Sequence, residues 1–224
     1  MSNVEEKGQW NSSVMPGHDA GVMHNEICHK TAIAVKPVPR EPLAYAAVAA
    51  LACALVIASL IAAPGCPGLF GSALGLLMVT IAVIDARSFL IPDRLTIAAL
   101  ALGLANTASE DYAGIVENVT SAALRGFLLA LAFYVLREAY YRLRHRHGIG
   151  LGDVKLAAAA GAWLDWTLIP LAVEIAALTA IAAYAANQVL RNRALDSAAK
   201  LPFGLFFAPA IWFCWLFDAT ILRT

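Results

Sequence analysis

Charge is what this sequence has least of. Only 14% of its 224 residues are Asp, Glu, Lys or Arg, and 16 basic side chains balance 16 acidic ones to a net charge of zero. Between residues 42 and 84 none of the four occurs. Soluble domains carry about a quarter charged residues, so this chain cannot clothe a water-facing surface. A soluble all-helical reading fails on the length of the uncharged stretches. The balanced charge also removes the basic excess that nucleic-acid binding draws on. Cysteine is sparse as well: Cys28, Cys53, Cys66 and Cys214 form no CxxC and no metal-ligand spacing. That argues against a disulfide or zinc framework, and leaves Cys53 and Cys214 as small packing residues within apolar runs. No metal and no cofactor is expected.

What the chain has instead is apolar length: 60% hydrophobic residues and a mean hydropathy of +0.69. Backbone polar groups in hydrocarbon must be satisfied within each segment. The expected fold is therefore all-α, a polytopic helical membrane bundle with about seven transmembrane helices. Residues 1–41 are polar, mixed in charge and aperiodic, a flexible cytoplasmic tail rather than a signal peptide, because the first apolar run comes too late. His18, His24, Cys28 and His29 in that tail lack ligand spacing and read as solvated side chains. Residues 42–224 form the membrane-embedded domain.

Within it the spans are expected at 43–63, up to 84, 93–107, 119–141, 154–163, 168–190 and 203–222, the third and fifth of them short. Pro64-Gly65-Cys66-Pro67-Gly68 turns the first into the second. Residues 109–117 read as a polar, acidic loop. Lys and Arg occur only in alternate connections: Lys36 and Arg40, Arg87 and Arg94, Arg142, Arg144 and Arg146, and Arg191, Arg193 and Lys200. The positive-inside rule makes that side cytoplasmic, with the N-terminus inside.

Two aspartates then fall at the same depth on that face. Asp85 ends the second span in Ile84-Asp85-Ala86-Arg87-Ser88-Phe89-Leu90-Ile91-Pro92-Asp93-Arg94-Leu95-Thr96. Asp153 opens the fifth in Gly148-Ile149-Gly150-Leu151-Gly152-Asp153-Val154-Lys155-Leu156, where three glycines permit a tight bend and close packing. Carboxylates near a membrane core are costly and mark function by default. For Asp153 alone, a helix N-cap is an equal reading. Two carboxylates that meet can divide the acid and base work of peptide hydrolysis, since both cannot ionise readily and one keeps its proton.

These two stretches, with Pro202-Phe203-Gly204-Leu205-Phe206-Phe207-Ala208-Pro209-Ala210, resemble the paired signatures and last-helix element of the type IV prepilin peptidases, membrane aspartyl proteases of the GxGD kind. The resemblance covers about residues 68–222. It implies that Asp85 and Asp153 are catalytic, with Gly150, Gly152, Lys155, Asp93, Pro202 and Gly204 in support. Asp93 is expected to cap the third helix, and Lys155 to hold the turn, tune its charge or snorkel to headgroups. Leu205 stands where proline is frequent in the family. The short turn after the first span leaves no room for the methylating insert of bifunctional members, so the likeness is to the short, peptidase-only branch associated with Flp/Tad-type pili.

By the same resemblance, the substrate is a pilin-like precursor with a basic leader ahead of an apolar helix, cut on the cytoplasmic side of a bacterial inner membrane. Partners are that precursor and membrane lipid. Rival readings from other classes are a small ion or proton transporter, which also uses intramembrane carboxylates, and a noncatalytic pilus-assembly subunit. Against the transporter, no internal repeat is found and both aspartates sit at the membrane edge.

Overall fold

The computed structural model describes residues 42–110, 114–144, 150–190 and 202–222. The 1–41 tail, with its histidines and Cys28, and the basic stretch 191–201 lie outside the described residues. Those described form seven α-helices and no strand: α1 (Pro42–Ala62), α2 (Cys66–Ser88), α3 (Asp93–Glu110), α4 (Ile115–Arg144), α5 (Leu151–Trp163), α6 (Leu168–Leu190) and α7 (Phe203–Phe217), the last continued by a π-helical turn, Asp218–Leu222. Five of them, α1, α2, α4, α6 and α7, are long and apolar enough to cross a membrane. The chain is thus an all-α, multi-pass membrane bundle. The two expected short helices, α3 and α5, are the ones that do not reach that standard.

Short α5 solves its length problem by burial. Its 13 residues rise about 20 Å, against roughly 30 Å of hydrocarbon. From Leu156 to Trp163, all but Ala158 are buried. It packs mainly on α3 and α4, with α7 beyond. Apolar burial drives little between helices already in lipid, so close backbone approach and internal hydrogen bonds matter more. Both are present. A Cβ on Gly161 would lie 2.7 Å from backbone atoms of Arg125 and Gly126, which only glycine tolerates at this crossing. Trp163 donates Nε1–H to the Ala99 carbonyl at 2.8 Å, joining α5 to α3, and meets Trp215 of α7 edge-on with centroids 6.4 Å apart.

Some boundaries differ from expectation, for local reasons. α2 runs through Ser88 rather than stopping at residue 84, so Asp85 lies inside its last turn. Phe89 then closes the helix in the left-handed region (φ 53°), its N–H on the Asp85 carbonyl. The expected 109–117 loop shrinks, because α3 continues to Glu110 and α4 begins at Ile115. Asn106 Nδ2 donates to Glu110 at 3.0 Å, Ser109 to the Asn106 carbonyl at 2.7 Å, and Glu117 sits in the first turn of α4, where the helix dipole favours an acid. Glu174, the isolated acid of α6, lies exposed. Cys53, Cys66 and Cys214 are free thiols.

Candidate active site

Three chain segments converge at one end of the bundle: the last turn of α2, the first turn of α5 and the first turn of α7. Asp85 is only 5% exposed. Its Oδ2 accepts the Leu205 N–H at 2.9 Å, with the Gly204 N–H also directed at the carboxylate. These are free donors because the first N–H groups of α7 have no intrahelical partner. The helix N-terminus therefore supplies the positive end of a dipole to a buried carboxylate. Gly204 makes the approach possible, since a Cβ there would lie 2.9 Å from Asp85 Oδ2 and 2.7 Å from Ile91 Cδ1.

Asp153 is not the N-cap of α5; that position belongs to Gly150, which has no side chain to offer. Asp153 stands three residues in, and its Oδ2 reaches back to accept the Gly150 N–H at 3.0 Å. The reverse half of a capping box is thus formed without its forward half. This leaves the carboxylate oriented but partly buried. Burial is the main cause that pushes its pKa up to about 6; the Gly150 N–H pulls it down, and the neighbouring Asp85 carboxylate pushes it up further. Asp153 lies outside the five spanning helices, yet it is close enough to Asp85 for one charge to act on the other.

Ile91 sits between the first turns of α5 and α7. A Cβ on Gly152 would come within 2.8 Å of Ile91 Cβ, just as one on Gly204 would meet Ile91 Cδ1. The segment that leaves α2 through left-handed Phe89 thus wedges one aliphatic side chain against both glycine turns. Gly150, Gly152, Gly204 and Pro202, the residue that precedes α7, are all brought to this end.

The expected role of Asp93 as cap of α3 needs correction. Pro92 supplies the carbonyl that accepts the first helical N–H groups of α3, from Leu95 and Thr96 at 3.1 and 3.3 Å, so Asp93 is the first helical residue rather than the cap. Its Oδ1 pairs instead with Lys155 Nζ at 2.5 Å. The cation beside Asp153 in sequence is therefore spent on Asp93, tying α3 to α5. Among the described residues neither Asp85 nor Asp153 has an ion-pair partner.

Sequence reasoning left two contributors out. Ile91 is an ordinary aliphatic residue in a turn, with no signal of its own. Leu205 was noted only as a departure from a frequent proline; its N–H is the one that holds Asp85, and proline has none to give.

Comparisons with known proteins identify the family. The profile of the type IV leader peptidase family matches residues 72–185. The prepilin leader peptidase/N-methyltransferase of Escherichia coli (strain K12) is 35% identical over 164 residues, 72% of this chain and 68% of that protein. That of Klebsiella pneumoniae is 38% identical over 132 residues, 59% of this chain and 55% of that protein. The leader peptidase HopD of Escherichia coli is 36% identical over 128 residues, 56% of this chain and 78% of that protein. The chain thus spans about half to three quarters of the length of these relatives. No solved structure matches. A family match that spans both aspartate turns, with a relative 35% identical over 68% of its own length, places the chain in the type IV leader peptidase family.

Proposed function

We propose that this chain is an intramembrane aspartic endopeptidase that removes the short basic leader of pilin-like precursors at the cytoplasmic face of a bacterial inner membrane. The observation that carries the reading is the meeting of Asp85 and Asp153, remote in sequence, at one end of the bundle without a basic partner among the described residues. Such a pair holds one proton between two sites more readily than it loses both. The ionised member takes a proton from water as it attacks the scissile carbonyl, and the protonated member gives one to the carbonyl oxygen or the leaving amine. The N–H groups of Gly204 and Leu205 are directed at the Asp85 carboxylate, and burial keeps the proton on Asp153 up to about pH 6.

Orientation follows from the basic residues. Arg87, Arg94, Arg142, Arg144 and Lys155 lie at the site end of their helices, which the positive-inside rule makes cytoplasmic. A short connection of Ala63, Pro64 and Gly65 joins α1 to α2, and this supports a peptidase-only member without a methylating insert between those helices. The test is to incubate the purified protein in lipid vesicles with a panel of pilin precursors. Loss of the leader is expected for at least one of them. Intact precursors across the panel, from a folded enzyme, would remove the reading.

A further inference from the structure

A cleft of about 460 Å³ opens on the flank of the bundle between α1, α2 and α7, and nothing in the site described so far uses it. Its closed end is built by polar ties: Trp212 Nε1–H donates to Ser59 Oγ at 3.1 Å, and Ser59 to the Leu55 carbonyl at 2.9 Å. Ser59 is the one buried residue among those of α1 whose burial is described. Toward the other end α1 contributes Val48 and Leu51 as an outer wall only. The floor is one face of α2, Val79, Ala82, Val83 and Ala86 at helical spacing, about 10 Å long at 1.5 Å per residue, while Gly75 at the closed end is already covered by Trp212 and Leu55. Small residues on such a face let another helix come close in lipid.

The open end coincides with the carboxylates. Ala86 and Arg87 follow Asp85 in the chain, and Leu205 both lines the cleft and donates its N–H to Asp85. Pro209, in the same wall, has no N–H for the Leu205 carbonyl four residues earlier, so α7 leaves that acceptor without its usual helical donor. A donor for that carbonyl has to come from elsewhere in the helix or from a bound molecule. A lipid acyl chain carries none; a peptide carries one per residue.

We infer that this cleft receives the apolar helix of the protein substrate, laid along α2 between α1 and α7, and that a substrate N–H beyond the helix end meets the Leu205 carbonyl beside Asp85. The inference rests on the peptidase reading for its occupant and adds the surface that binds it. It makes α1 an outer wall of the binding site, and Val79 and Val83 residues that meet the substrate helix without touching the reacting bond.

Filling the cleft tests this. Val79→Trp and Val83→Trp occupy it from the floor, whereas Leu76→Trp adds the same bulk on an exposed face of α2 outside it (Leu76 is 43% exposed). The assay uses a precursor with a basic leader and one apolar helix, co-reconstituted in phosphatidylcholine and phosphatidylglycerol vesicles, with cleavage rate followed against precursor density. The two cleft variants should need about tenfold more precursor for half-maximal rate, equivalent to roughly 1.4 kcal/mol of binding, while Leu76→Trp matches the parent. Equal saturation curves for all folded variants would overturn the inference. A photo-crosslinking residue at position 83 of the otherwise unaltered chain guards against misfolding: it should capture the precursor, and one at position 76 should not. Capture of lipid alone, or of a second copy of the chain, would also overturn it. A parent enzyme that cleaves nothing yet crosslinks at position 83 would instead defeat the peptidase reading and leave the cleft assignment standing.

Discussion

At the end of the bundle away from the carboxylates, Arg125, Asp165, Asn106 and Glu110 line a polar cavity of about 210 Å³. At the site end stand Asp85 and Asp153. Both regions put polar groups in apolar surroundings, but they satisfy them differently. Arg125 is used up on fixed partners: Asp165 at 3.5 Å, the Gly161 carbonyl at 3.3 Å and Ser121 at 3.1 Å. Charge there meets charge, and the product is a brace between α4 and α5. The site carboxylates receive only backbone N–H groups, and the nearby cation, Lys155, is directed to Asp93. Carboxylates left without a counter-ion keep an unsettled proton, which a brace has no use for and hydrolysis requires.

The sharpest way to break that contrast is to neutralise both ends alike. Asp85→Asn and Asp153→Asn should each lower precursor cleavage by about 10²- to 10⁴-fold, with the double variant little worse than either single, because residues acting as one unit are non-additive. Asp165→Asn, measured per folded molecule, should retain its rate. A comparable loss from Asp165→Asn would erase the distinction between the two ends.

Next in size is a pair of glycine changes. Gly204→Ala puts a methyl against Asp85 Oδ2 and Ile91, and the resulting displacement should cost roughly 10- to 100-fold in rate with the helices intact. Gly161→Ala puts the same methyl into the backbone of α4. It should cost about 1–3 kcal/mol of stability, seen as a lower thermal midpoint in detergent, with the rate per folded molecule preserved. Reversed outcomes would mean that the wrong crossing has been assigned to chemistry.

A pH measurement sharpens the site end further. Asp153 is raised from the ordinary 3.8 to about 6 in the folded chain. Its proton is thus bound more tightly folded than unfolded. The stabilisation is fully present below about pH 4 and is lost as pH rises through 6, a change of up to about 3 kcal/mol. Asp153→Asn keeps an oxygen for the Gly150 N–H and removes the titration. Its thermal midpoint should exceed the parent's more at pH 8 than at pH 4; equal offsets at both would show that burial does not hold that proton.

The smallest effect belongs to the exposed pair. Asp93→Asn and Lys155→Met loosen an ion pair whose side chains are 63% and 45% exposed, so each should cost under about 1 kcal/mol and change cleavage only a few-fold. A loss matching that of Asp153→Asn would move Lys155 from tying α3 to α5 into the chemistry itself.

The sequence by itself determined the helical, membrane-embedded class, because uncharged runs of this length leave a backbone no other way to satisfy its hydrogen bonds. It also determined that Asp85 and Asp153 lie at one end, since each sits where an apolar run meets a glycine- or arginine-bearing turn, and alternating basic loops place those turns on one face. Tertiary structure decided what those residues touch. Periodicity could not reveal that Ile91 would fill the space between Gly152 and Gly204, that Lys155 would turn to Asp93, or that the Leu205 N–H would hold Asp85. Each of these depends on three helix ends meeting. Helix ends are where backbone donors are free and side chains from remote segments compete for them, so their partners are set by packing rather than by local sequence.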